Sequence, residues 1–294
     1  MNVYPLVTIS AFFWGANFVL AGFVLADLSP LWAAALRFLL GAAIMFSIAV
    51  LRREELFSLA RRNAATYLML GAVGIVAFNL FFFNAMRFTS ADNASLIMAT
   101  NPLLTTLLAM MFLGEKASLR HLVALPLALF GVAVVISQGD LSRLASLRIS
   151  EGDVLMLAAN ASWALYNVLS RRYMPKGSAT ANTAWITASG ASILLVVALA
   201  SGGQFGAIGV KAGMALAVMA AGGSVLAYLF WGMGIVRLGA AKTSIFLNLV
   251  PVFAMLLDGI IGTSPTPSQY LGGALVLVGV SISMLPKQKL ARAV

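Results

Sequence analysis

No cysteine occurs in the chain, histidine occurs once, and charge is scarce. Without cysteine there is no disulfide, no thiolate metal site and no cysteine nucleophile. His121 alone cannot build a multi-histidine zinc site, so no metal is expected. No Gly-x-Ser-x-Gly elbow, no His-Glu-x-x-His motif and no phosphate-binding loop is present, and the apolar runs hold no carboxylate pair. These absences argue against an enzyme and against an ATP-driven pump, and they leave no cofactor to expect.

The shortage of charge is the most informative absence. Charged residues make up 10% of the chain and hydrophobic ones 61%, against about 25% and about 45–50% in soluble domains. One soluble core cannot hide that apolar excess, so a lipid bilayer is the expected solvent. Apolar runs fall at 5–26, 31–51, 66–87, 93–113, 119–137, 153–171, 182–200, 212–236, 241–261 and 269–285. Each is near the roughly 20 residues that span a membrane as a helix. Continuous apolar runs exclude a barrel of alternating strands, and open sheets do not survive in lipid. The predicted fold is therefore an all-α integral membrane protein of ten transmembrane helices. The first run starts near Tyr4 without a basic segment before it and reads as a span, not a cleavable signal peptide.

Ten spans put both termini on one side. With the N-terminus in the cytoplasm, 14 of the 19 cations lie in inner segments, among them Arg52, Arg53, Arg61, Arg62, Arg171 and Arg172. Only Arg87, Arg143, Arg148 and Lys211 lie in outer loops, and Arg37 lies within a span. The positive-inside rule then places both termini in the cytoplasm of a cell inner (plasma) membrane protein. The net charge of +10 is explained by topology, so no nucleic-acid partner is expected. The expected partners are the bilayer and a small-molecule substrate; no oligomeric state follows.

The chain also matches itself at a spacing of 149 residues. Trp14 falls on Trp163, Gly41 on Gly190, Gly74 on Gly223, Phe81 on Phe230, Ser95 on Ser244 and Pro102 on Pro251. Near the end the spacing slips by one, bringing Gly114 onto Gly262 and Gly131 onto Gly279. Residues 1–149 and 150–294 then form two five-helix repeats. Five spans is an odd number, so the second copy is inverted. That arrangement is typical of secondary transporters, with the substrate between the halves near the midplane.

Several stretches resemble the drug/metabolite transporter superfamily, and their order is similar to its ten-helix EamA branch. They are AFFWGANFV at the start, AALRFLLGAAI with Arg37 and Phe38, NPLLTTLLAMMFLGEKASLRH with Pro102, Gly114 and Glu115, then LVPVFAMLLDGIIG and YLGGALVLVGVSI. The second half departs from the pattern. Gly262-Thr263 stands where the first half has Gly114-Glu115, and Ile186 stands at the place of Arg37. The resemblance implies export of amino acids, aromatic or otherwise hydrophobic, or of related small metabolites, by alternating access.

Polar and aromatic residues inside the spans are the candidate substrate contacts. Asn160, Trp163 and Tyr166 share one face of span 6, since they recur every three or four positions. Trp14 and Asn17 occupy the matching face of span 1. Asn79 and Phe82 lie in span 3, with Tyr228 and Trp231 at the matching places in span 8. Met98 and Asn101 lie in span 4 beside Ser95, and Asn248 lies in span 9 beside Ser244. Lipid penalises an exposed amide, so these faces should point inward; joining helices is the competing role for each of them. Arg37 and Asp258 are expected to gate or pair in the outer half, or to snorkel to the interface. Pro102 and Pro251 are expected hinges. An export pump for diverse drugs is the nearest alternative, although a cation-selective one would keep a carboxylate at mid-membrane. A channel or receptor is the more distant alternative.

Overall fold

The computed structural model describes residues 2–88, 94, 97–116, 118–137, 139–140, 142, 150–201, 206–261 and 265–285. The predicted site neighbour Ser95 lies outside them, as do Arg143, Arg148, Gly262 and Thr263. The described chain is helical, with no strand among these residues.

Eight described helices are long and apolar enough to cross a membrane. They are α1 (Tyr4–Leu25), α2 (Pro30–Leu51), α3 (Leu56–Ala85), α5 (Leu119–Ser137), α7 (Ala179–Ala200), α8 (Val210–Leu238), α9 (Ala240–Ile260) and α10 (Pro267–Met284). A shorter apolar helix, α4 (Ile97–Leu113), makes nine. A further helix, α6 (Glu151–Tyr173), is long but carries two acids in its first turn and Arg171 and Arg172 in its last. Its polar residues are tolerated because Asn160, Asn167 and Ser170 are buried against other helices. Large apolar side chains such as Met111, Val196, Leu199, Met214 and Leu271 are exposed on the outside of the bundle. Such a surface is a liability in water and the natural one in lipid.

Helix α3 begins about ten residues before the apolar run that predicts it. Arg61 and Arg62 lower the apolar count of Leu56–Asn63 but do not prevent a helix. Asn63 marks the change with a non-helical backbone (φ −128°, ψ 17°). The prolines differ from expectation in another way. Pro102 sits in the first turn of Asn101–Leu113, and Pro251 in the first turn of Leu249–Ile261 after a 3₁₀ turn at Ile245–Asn248. An N–H in a first turn has no intrahelical partner, so a proline there removes no helical bond. The breaks in α4 and α9 precede the prolines.

Close helix contacts recur in pairs at the 149-residue spacing. A Cβ on Gly71 would stand 2.7 Å from the Gly190 nitrogen, and Gly41 faces Ala220 in the matching place. Gly74 lies against the ring of Tyr166, and Gly223 against the amide of Asn17. Gly131 packs on Gly272, and Gly279 on Ala124, at the slipped spacing. Two π-helical turns, Ala72–Ala77 in α3 and Met219–Leu226 in α8, overlap at the same spacing. Even the caps match: Ser118 Oγ accepts from the His121 N–H, and Thr266 Oγ1 from the Gln269 N–H.

Candidate functional site

The centre of the bundle is a cluster of aromatic rings contributed by α1, α2, α3, α6 and α8. Trp14 meets Trp163 at 5.3 Å, edge to face, and Trp231 at 4.9 Å. Trp163 stacks on Tyr166 at 5.1 Å and meets Tyr228 at 5.7 Å. Phe38 and Phe78 close the cluster, 5.5 Å from Tyr228 and 5.7 Å from Trp163. The i, i+3, i+4 spacing on α6 turns Trp163, Tyr166 and Asn167 to one face. Edge-to-face and offset contacts are the favoured geometries for such rings.

The polar edges of these rings divide into bonded and unbonded. The Trp14 indole donates to the Gly223 carbonyl at 3.1 Å, and the Trp231 indole to Asn167 Oδ1 at 2.8 Å. Trp163 is buried, and its indole N–H meets no acceptor among the described residues. A buried donor left unbonded costs about 1–3 kcal/mol.

The predicted amides follow the same division. Asn101 donates to the Asn160 side-chain oxygen at 2.6 Å and to its carbonyl at 2.9 Å. Asn160 donates in turn to the Ile97 carbonyl and to Thr100 Oγ1. This interlock ties α4 to α6 across the break in α4. Asn79 donates to the Ile75 carbonyl at 2.6 Å, satisfying an acceptor inside the π-turn of its own helix. Asn17 lies against Gly223. Asn248 is fully buried, and neither amide atom has a partner among the described residues. Phe82 stacks on Phe78 and, with Met98, packs on a small cluster around Met156 and Ala159. Of the twelve predicted contacts, Trp14, Trp163, Tyr166, Tyr228 and Trp231 form the aromatic centre and Asn101 and Asn160 the α4–α6 tie, while Asn17, Asn79, Phe82, Met98 and Asn248 lie in separate surroundings.

Arg37 and Asp258 are not paired. The Arg37 guanidinium lies 4.5 Å above the Phe38 ring, and its buried Nε has no hydrogen bond among the described residues. Asp258 is exposed, and no ion pair joins the two. Among the described residues no group of three or more His, Asp or Glu side chains is placed to hold a metal ion.

One end of the bundle carries a cluster that sequence reasoning did not single out as a site. Gly114 ends α4 in the left-handed conformation (φ 64°), which favours glycine. It turns Glu115 onto the start of α9, where the carboxylate accepts the Ala240 and Ala241 N–H groups at 3.1 and 3.2 Å. A carboxylate at a helix N-terminus is favourable. Arg171 Nε lies 3.7 Å from Glu115, and Arg171 also donates to the Ile235 and Val236 carbonyls at the end of α8. Beside it, Arg172 donates to the Phe112 carbonyl, and Lys242 to the Tyr4 hydroxyl. The signal in sequence was a lone acid directly after a helix-ending glycine.

Known proteins share both this sequence and this fold. The profile described as "EamA-like transporter family" matches twice, over residues 1–137 and 150–285. "Uncharacterized transporter YyaM" of Bacillus subtilis (strain 168) is 38% identical over 282 residues, covering 95% of this chain and 92% of its own length. A protein of Escherichia coli (strain K12) described as a "Probable amino-acid metabolite efflux pump" is 27% identical, with 92% and 91% covered. One solved crystal structure superimposes with a TM-score of 0.79 at 20% identity, 95% of each chain being covered, which speaks to the fold alone. Two matches to one family profile, over nearly the whole chain, decide the assignment: this multi-pass membrane protein belongs to the EamA-like transporter family, whose role is transport of solutes and not catalysis.

Proposed function

We propose that the protein exports amino acids, aromatic or otherwise hydrophobic, or closely related metabolites, by alternating access across the plasma membrane. In this reading α6 is the tenth span, residues 1–149 and 150–294 are inverted halves, and both termini are cytoplasmic. The paired glycine contacts and matched π-turns support two halves with one packing pattern, and such halves have two equivalent ways of closing on a site between them. The relative described as an amino-acid metabolite efflux pump supports the direction and the class.

The observation that carries the proposal is the aromatic centre. Trp14 comes from the first half, Trp163, Tyr166, Tyr228 and Trp231 from the second, and one indole donor among them is unbonded among the described residues. Aromatic walls suit an apolar side chain, and an unbonded buried donor suits a polar head. The test is counterflow in proteoliposomes holding purified protein, with a panel of labelled amino acids. Saturable exchange of aromatic or branched-chain members is expected. Absence of exchange for every member of the panel rejects the proposal.

A further inference from the structure

Arg37 carries the only charge inside α2, and its surroundings do not neutralise it. The guanidinium faces the Phe38 ring, its buried Nε has no hydrogen-bond partner among the described residues, and the exposed Asp258 makes no ion pair with it. A ring face compensates a cation only partly, and an unpaired charge inside a helical bundle is costly. A buried arginine of this kind is best explained by an anion that is present for part of the working cycle.

The neighbourhood indicates where that anion comes from. Phe38, which supports the guanidinium, sits edge-on to Tyr228, and Tyr228 touches both Trp14 and Trp163. One turn after Arg37, Gly41 packs against Ser224 of α8. Ser224 lies in the π-turn Met219–Leu226, and its hydroxyl is buried without a partner among the described residues. The α2–α8 contact thus buries two unbonded polar groups, a guanidinium N–H and a hydroxyl, next to the aromatic centre.

We propose that Arg37 is the carboxylate-recognising residue of the transport site, so that substrates are restricted to compounds with a carboxylate on a compact apolar body. This deepens the reading under Proposed function and rests on it. Guanidinium matches carboxylate in charge and in its forked geometry. A ligand without the carboxylate leaves the guanidinium unpaired in a dry site, which is how polar sites reject analogues strongly. Amides and amines with the same side chain are therefore poor substrates, and amphipathic cationic drugs are excluded.

The experiment measures inhibition of labelled phenylalanine and leucine counterflow by the free acids, by phenylalaninamide and leucinamide, and by phenethylamine. Wild-type protein is expected to prefer acid over amide at least tenfold. Arg37→Gln is expected to bring that ratio near one while still being inhibited by the amide. Asp258→Asn is expected to leave the ratio unchanged. A wild-type ratio near one overturns the proposal, as does an Arg37→Gln variant that keeps the preference or an Asp258→Asn variant that loses it. Should Arg37→Gln not survive purification, Arg37→Lys replaces it: a point charge without the fork is expected to narrow the ratio, and an undiminished ratio overturns the assignment. Wild-type protein that moves no amino acid at all rejects the export reading itself, a result distinct from exchange without discrimination.

Discussion

At the residue scale, Trp163 differs from the other two tryptophans of the centre. The indoles of Trp14 and Trp231 are held by Gly223 and Asn167, while that of Trp163 is unbonded in the described structure. If the solute supplies the acceptor, Trp163→Phe keeps the stacking on Tyr166 but loses that bond. The half-saturation concentration should rise roughly three- to tenfold, the equivalent of about 1 kcal/mol. Counterflow kinetics give the value, and the thermal midpoint in detergent guards against misfolding. Unchanged kinetics in well-folded Trp163→Phe and Trp163→Ala variants would remove the residue from the site. Much of this centre was legible in sequence, because a period of three to four residues fixes which side chains share a face of α6. The division of labour among the amides was not. Asn101 and Asn160 are 59 residues apart and bond each other, while Asn248 bonds nothing among the described residues. Periodicity gives a face but never a partner.

At the element scale, most helices could be placed from apolar runs alone; α5 covers the run at 119–137 from end to end. What escaped were irregularities without a compositional mark: the early start of α3, the π-turns, and the 3₁₀ break in α9. Such irregularities carry no compositional signal, so only the assembled bundle reveals them. The Glu115 cluster is a similar case, since it joins the ends of α4, α6, α8 and the start of α9. Both side chains of its ion pair are partly exposed, so the pair alone is worth little, and the helix-start bonds add to it. Glu115→Gln should loosen this end. Val168 is buried beside Ala109, Ala240 and Ala241, and the chain has no native cysteine. Val168→Cys should therefore react with a maleimide roughly fivefold faster in the Glu115→Gln background, the equivalent of about 1 kcal/mol. Equal rates in the two backgrounds would show that Glu115 does not hold this end shut.

At the scale of the whole molecule, the cation distribution predicts orientation. A cysteine replacing Arg62, which is exposed near the start of α3, should be labelled by an impermeant reagent only after the membrane is opened. Labelling from outside intact cells would reverse the topology. Given that orientation, the Glu115 cluster lies on the cytoplasmic side. In the proposed inverted-repeat arrangement the matching position of the second half is Thr263, which has no carboxylate to offer a helix start. Under the proposed alternating access, a fastening present at one end only would make the empty carrier dwell longer with that end shut, since a difference in interaction energy between two states sets their populations. Dwell time is a kinetic property. It alters how fast the unloaded protein returns to pick up cargo, and so the speed of exchange measured from each side. It leaves the sign of net flux to the solute gradient and any driving ion, because a fastening made and broken once in every complete cycle contributes no net work.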